Sequence, residues 1–78
     1  MKTLFNFLSR IKDESIWVDP EGKYVYVEGT SWFDGIYYNP MVYYFYPNLI
    51  NYNENLNNLI MLDRYTFSKY MTKINVKQ

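Results

Sequence analysis

An α+β fold is what this 78-residue sequence predicts: an N-terminal helix, an antiparallel sheet of four to five short strands and a C-terminal helix, with both helices on one face. Three observations carry that expectation. Apolar residues recur at helical spacing at both ends of the chain; the segment between them is a series of short β-branched and aromatic runs; and the connections are too short for the crossovers that parallel strands require. A chain of this length supports one hydrophobic core, so residues 1–78 are expected to form a single domain.

The first helix is expected over residues 2–12, where Leu4, Phe5, Leu8 and Ile11 share one face and Lys2, Asn6, Ser9, Arg10 and Lys12 fall largely on the other. Ile16-Trp17-Val18 and Lys23-Tyr24-Val25-Tyr26-Val27 then flank Asp19-Pro20-Glu21-Gly22. Asp at the first turn position, Pro preset for the second and Gly at the fourth or in a bulge make this a hairpin. Two registers compete. Pairing Val18 with Lys23 sets Trp17 against Tyr24, whereas a bulged three-residue loop pairing Asp19 with Lys23 sets Trp17 against Val25.

Asp34-Gly35, between Ser31-Trp32-Phe33 and Ile36-Tyr37-Tyr38, matches a two-residue type I′ hairpin. Asn39-Pro40 interrupts pairing, because proline lacks the ladder donor and belongs at a bend, bulge or edge. Met41-Val42-Tyr43-Tyr44-Phe45-Tyr46 resumes as a strand, the asparagine-rich residues 48–58 form a loop, and Leu59-Ile60-Met61-Leu62 is a further short buried strand. From Asp63, an N-cap, Phe67, Tyr70, Met71 and Ile74 recur at the spacing of a second amphipathic helix.

Composition narrows function by exclusion. The chain has no Cys and no His, which removes disulfides, thiolate metal sites, thiol nucleophiles and the commonest general base. No Gly-rich phosphate loop or nucleophile elbow is present, and the paired acids Asp13-Glu14 and Asp19/Glu21 fall at a helix end and in a turn. The expectation is a non-enzyme with no cofactor and no metal. No apolar run approaches the ~18 residues of a membrane span, and polar residues interrupt the first segment too early for a signal-peptide core, so a cytoplasmic location is expected.

What remains are rings and charge. Ten Tyr, five Phe and two Trp exceed what one small core needs, which leaves tyrosine faces at the surface where ring and hydroxyl together suit interfaces. The net charge is zero, but it is segregated: residues 1–12 and 62–78 each carry +3, residues 13–34 carry −5, and residues 35–61 add −1. An acidic, aromatic hairpin region therefore lies between basic ends. Trp17, Asp19, Glu21, Tyr24, Tyr26, Glu28, Trp32 and Asp34 are the candidate partner-binding residues, with a protein of basic surface as the partner.

An inhibitor of a host nucleic-acid enzyme or defence protein would look like this. The absence of Ala and abundance of Asn and Tyr fit an AT-rich phage or mobile element acting in a bacterial host. Nucleic-acid binding through surface tyrosines and basic helices is the alternative, opposed by the acidic hairpins, which repel phosphates. Self-association through short apolar strands, giving a homodimer, is a third reading.

Overall fold

The computed structural model describes residues 8, 10–48, 50–51 and 54–74. Five antiparallel strands make one sheet: β1 (Ile16–Val18), β2 (Tyr24–Asp34), β3 (Tyr37–Phe45), β4 (Ile60–Asp63) and β5 (Thr72–Lys73), in the order β4-β3-β2-β1-β5. A 3₁₀ turn (Leu56–Asn58) precedes β4, and one α-helix, α1 (Arg64–Tyr70), follows it directly. The expected two-helix α+β plan is thus corrected to a sheet-dominated fold with a single α-helix among the described residues. Of the segment expected as an N-terminal helix, residues 2–7 and 9 lie outside the described residues; Leu8 is helical, but residues 10–12 are a turn and irregular chain, so no helix reaches Lys12.

The first hairpin adopts the bulged register. Asp19 N–H donates to the Lys23 carbonyl, Gly22 N–H to that of Asp19, and Gly22 takes the positive φ of 85° that closes a three-residue loop. Trp17 accordingly faces Val25 and shares the core side with it, while Ile16↔Tyr26 and Val18↔Tyr24 point to the opposite side. The second hairpin differs from expectation by one residue. Asp34 pairs with Tyr37, so the loop is Gly35-Ile36, and only Gly35 has positive φ (62°), as in a type II′ rather than a type I′ turn.

Two irregularities bend this long ribbon. Glu28 is an extra residue on β2 between the pairs Val27↔Tyr44 and Gly29↔Tyr43, and Asn39-Pro40 stand against Trp32 alone between Ser31↔Met41 and Phe33↔Tyr38. Pro40 therefore sits inside β3 at a bulge, where no ladder donor is needed.

The core lies on one side of the sheet. Trp17, Val25, Val27, Val42 and Tyr44 contribute from the strands, Phe67 from α1, and Ile11 from the N-terminal segment. Phe67 packs edge-on against Trp17 and Tyr44, with ring centroids 5.1 and 5.3 Å apart. Such pairs add roughly 0.5–1.5 kcal/mol each beyond area burial. The Trp17 indole N–H donates to Ser15 Oγ at 2.9 Å, so the ring is buried with its polar atom satisfied.

Helix α1 begins as expected, Asp63 accepting the Thr66 N–H at 2.9 Å, but ends at Tyr70 instead of continuing through Ile74. Thr72 and Lys73 pair with Val18 and Trp17, and Ile74 N–H donates to the Ile16 carbonyl. Backbone pairing against an open strand edge thus overrides a helical side-chain pattern. The asparagine-rich loop is ordered by its own amides. Asn48 Oδ1 accepts the N–H groups of Ile50 and Asn51, and the buried Asn55 Oδ1 accepts the Asn48 N–H.

Candidate functional site

The eight residues expected to form one surface are divided by the fold. Trp17 is buried in the core. Asp19 closes the first turn: Oδ1 accepts from Glu21 and Lys23 N–H, and Oδ2 accepts the Tyr46 hydroxyl at 2.8 Å. These bonds, the one to Lys23 first, hold its carboxyl below the usual carboxylate range, and they use the oxygens a partner would need. Glu21 is exposed beside Lys23, 3.8 Å away. Tyr24 is exposed and Tyr26 half-buried on the outer side of the sheet, and Glu28 is exposed at its bulge. Trp32 and Asp34 belong to the far end of β2, Trp32 half-buried and Asp34 exposed. Tyr26 and Asp34 are roughly 26 Å apart at ~3.3 Å per residue, so one flat contact does not hold both groups.

Two features emerge in place of one. The first is an open, mainly apolar groove of about 690 Å³ on the outer side of the sheet, walled by Ile16, Tyr24, Tyr26, Tyr46 and Ile74. Burial and the bond to Asp19 push the Tyr46 hydroxyl up to about 12, so it stays protonated as a donor.

The second is the end of the β2–β3 hairpin. β1 stops at the pair Ile16↔Tyr26, and β4 at Met41↔Asp63. Beyond them the ribbon from Phe33 to Tyr38 runs as two strands with no other strand beside it among the described residues. Its tip carries Phe33 (61% exposed), Ile36 (88%), Tyr37 (73%) and Tyr38 (55%), with Asp34 at the turn. Apolar side chains so exposed and so close together are uncommon on a monomeric surface and mark contact sites.

A bare two-stranded ribbon is marginally stable in water. This one is braced from its base. The Tyr38 ring stacks with Trp32, with centroids 6.3 Å apart and planes 20° apart, and meets Phe33 edge-on at 5.9 Å. The Arg64 guanidinium lies 3.8 Å over the Trp32 ring. The Tyr38 and Tyr65 hydroxyls are 3.3 Å apart, a bond that raises the Tyr38 pKa. The first residues of α1 therefore hold the arm through a stack of rings.

Arg64 is itself buried. Its Nε donates to the Ser31 carbonyl at 3.2 Å, and one terminal nitrogen donates to the carbonyls of Leu8 and Ile11, each at 3.3 Å. Burial lowers its pKa, while the charges of Asp13 and Tyr38 act in the opposite direction. One planar side chain thus ties the N-terminal segment, the arm and the helix together.

Of these residues, Trp32 and Asp34 were legible as candidates from sequence; Phe33, Ile36, Tyr37 and Tyr38 were assigned only to strands. The missed signal was length. β2 and β3, at 11 and 9 residues, outrun the three-residue β1 and four-residue β4 beside them, which leaves the hairpin end projecting. Among the described residues no group of three or more metal-ligating side chains comes together, and no helix is long and apolar enough to cross a membrane. No protein-family model, curated protein or solved structure matches the chain.

Proposed function

We propose that the protein is a non-enzymatic binding module that inserts the tip of its β2–β3 arm into an apolar pocket on another protein. The observation that carries this reading is the exposed cluster of Phe33, Ile36, Tyr37 and Tyr38 on a ribbon braced by Arg64 and Trp32. Rings fixed before binding lose little entropy on contact, and aromatic anchors dominate interface energetics. Asp34 at the tip favours a pocket with a basic rim, where charge steers encounter more than it adds affinity.

A basic surface is the electrostatic footprint of proteins that bind nucleic acid. An inhibitor of such a host enzyme or defence protein, encoded by a phage or mobile element and acting in the bacterial cytoplasm, is the setting that fits best. The test is affinity capture from the host cells with the wild-type chain and with a Phe33→Ser, Ile36→Ser, Tyr37→Ser variant, followed by mass spectrometry. The expected result is one protein retained by the wild type and reduced at least tenfold with the variant, since lost hot-spot residues cost about 2 kcal/mol or more. Equal retention by both chains, or recovery of nucleic acid alone, would contradict the proposal.

A further inference from the structure

We infer that the outer edge of β4 is a self-pairing surface, through which two copies of the chain join their sheets strand to strand about a two-fold axis. β4 ends the sheet on the side away from β1 and β5, so alternate residues along it direct N–H and C=O groups outward rather than toward β3. Protein edges of this kind are normally guarded by a lysine, a proline or a bulge. Residues 59–62 are Leu, Ile, Met and Leu, and β4 runs beside β3 without a register break. Among the described residues nothing guards this stretch, and Ile60 (39% exposed), Met61 (60%) and the preceding Leu59 (41%) are open to solvent.

The occupant follows from charge and symmetry. The acidic arm suits a basic protein, whereas this edge is uncharged from Leu59 to Leu62, and its one charge, Asp63, is held by the Thr66 N–H at the helix start. A second copy presents the same apolar stretch. Leu62 pairs with the core residue Val42 and Met61 with Tyr43 on the outer side. With the axis perpendicular to the sheet, both copies keep their core sides together, and only residues on the same side of the sheet can face each other. An axis through Met61 satisfies this: Met61 meets Met61 of the second copy, and Ile60 meets Leu62. Each Asp63 then stands opposite Leu59 instead of the other Asp63, and its carboxylate remains engaged with Thr66 N–H at the helix start.

In that arrangement the two β3 strands run in opposite directions, and the two arms project from opposite ends of one continuous sheet. The dimer is bivalent. Its contact is small, below the roughly 1,200–2,000 Å² of tight complexes, so association is expected only at micromolar concentrations or above.

Sedimentation of the full chain from about 10 μM to about 1 mM tests this, spanning the range in which such a contact is read. The expected result is a mass that rises from monomer to dimer. Met61→Lys and Met61→Glu should each stay monomeric, because like charges meet at the axis, and an equimolar mixture of the two should recover the dimer. Hydrogen exchange on the wild type provides a readout without substitution, with outward amides of β4 slowing as concentration rises. A wild-type chain that stays monomeric at the upper concentration, a dimer unaffected by Met61→Lys, a mixture that fails to associate, or β4 amides indifferent to concentration would each overturn the inference.

Discussion

Arg64 is the residue on which most of the molecule converges. Its guanidinium donates to backbone carbonyls of Ser31, Leu8 and Ile11 and covers the Trp32 ring. Lysine has neither the planar fork nor the flat face for this, so Arg64→Lys is not conservative here. Arg64→Met should destabilise the fold by about 2–4 kcal/mol in urea unfolding, because buried carbonyls lose their donors, and Arg64→Lys should recover less than half of that loss. Equal stability of the wild type and Arg64→Lys would count against the convergence described.

Asp19 and Asp63 on the acid side, and Tyr46 together with Tyr38 and Tyr44 on the alkaline side, make the stability of the fold depend on pH. Asp19 and Asp63 have folded pKa values below the ordinary 3.8, through backbone and side-chain donors. A depressed folded value means their contribution is complete above about pH 4 and is lost as pH falls through the folded pKa. Tyr46 has the opposite sign: raised from 10.0 to about 12, its contribution is complete below the first value and is lost as pH rises toward the second. Melting temperature against pH should therefore fall at both ends. Asp19→Asn should flatten the acid limb, and Tyr46→Phe the alkaline one.

At the scale of elements, the strands of the first hairpin and the start of the helix were legible because local chemistry decides them. Asp19-Pro20 fits only a turn, and Asp63 has a donor to accept three residues on. Asp63→Ala should cost about 1 kcal/mol, the usual value of an N-cap. What local chemistry does not decide is register and extent. The sequence Asp34-Gly35-Ile36 suits either hairpin loop, and the bulges at Glu28 and Asn39-Pro40 settle the matter through pairing elsewhere on β3. Gly35→Ala should destabilise by about 1–2 kcal/mol, the penalty of a side chain at positive φ.

The same limit explains β4 and β5. Leu59-Ile60-Met61-Leu62 is apolar enough for a central strand, yet Ile60–Asp63 forms an exposed edge, since strand order is a long-range property absent from a four-residue pattern. Met71 and Ile74 keep helical spacing but do different work. Met71 packs on the core, and Ile74 reaches the outer groove from beside β1.

At the scale of the whole molecule, sequence composition announced the surplus of aromatic rings, and the fold divides that surplus among three places. Trp17, Tyr44 and Phe67 fill the core, Tyr24 and Tyr26 wall the outer groove, and Phe33, Tyr37 and Tyr38 arm the hairpin. The acidic character of residues 13–34 was equally visible, but the turn at Asp19 and the 11-residue length of β2 spread it over both ends of the sheet. A surface inferred from neighbouring residues in sequence is not preserved when one strand crosses the entire molecule.

The arm is the proposed point of contact, and site-specific photo-crosslinking tests that most directly. A photoreactive phenylalanine analogue placed at Tyr37, at the tip, and separately at Tyr70, exposed at the end of the helix, reports what each touches in living cells. The expected result is a single protein species joined through position 37 and absent from position 70. Crosslinks to nucleic acid at position 37, or the same protein captured equally from both positions, would contradict it.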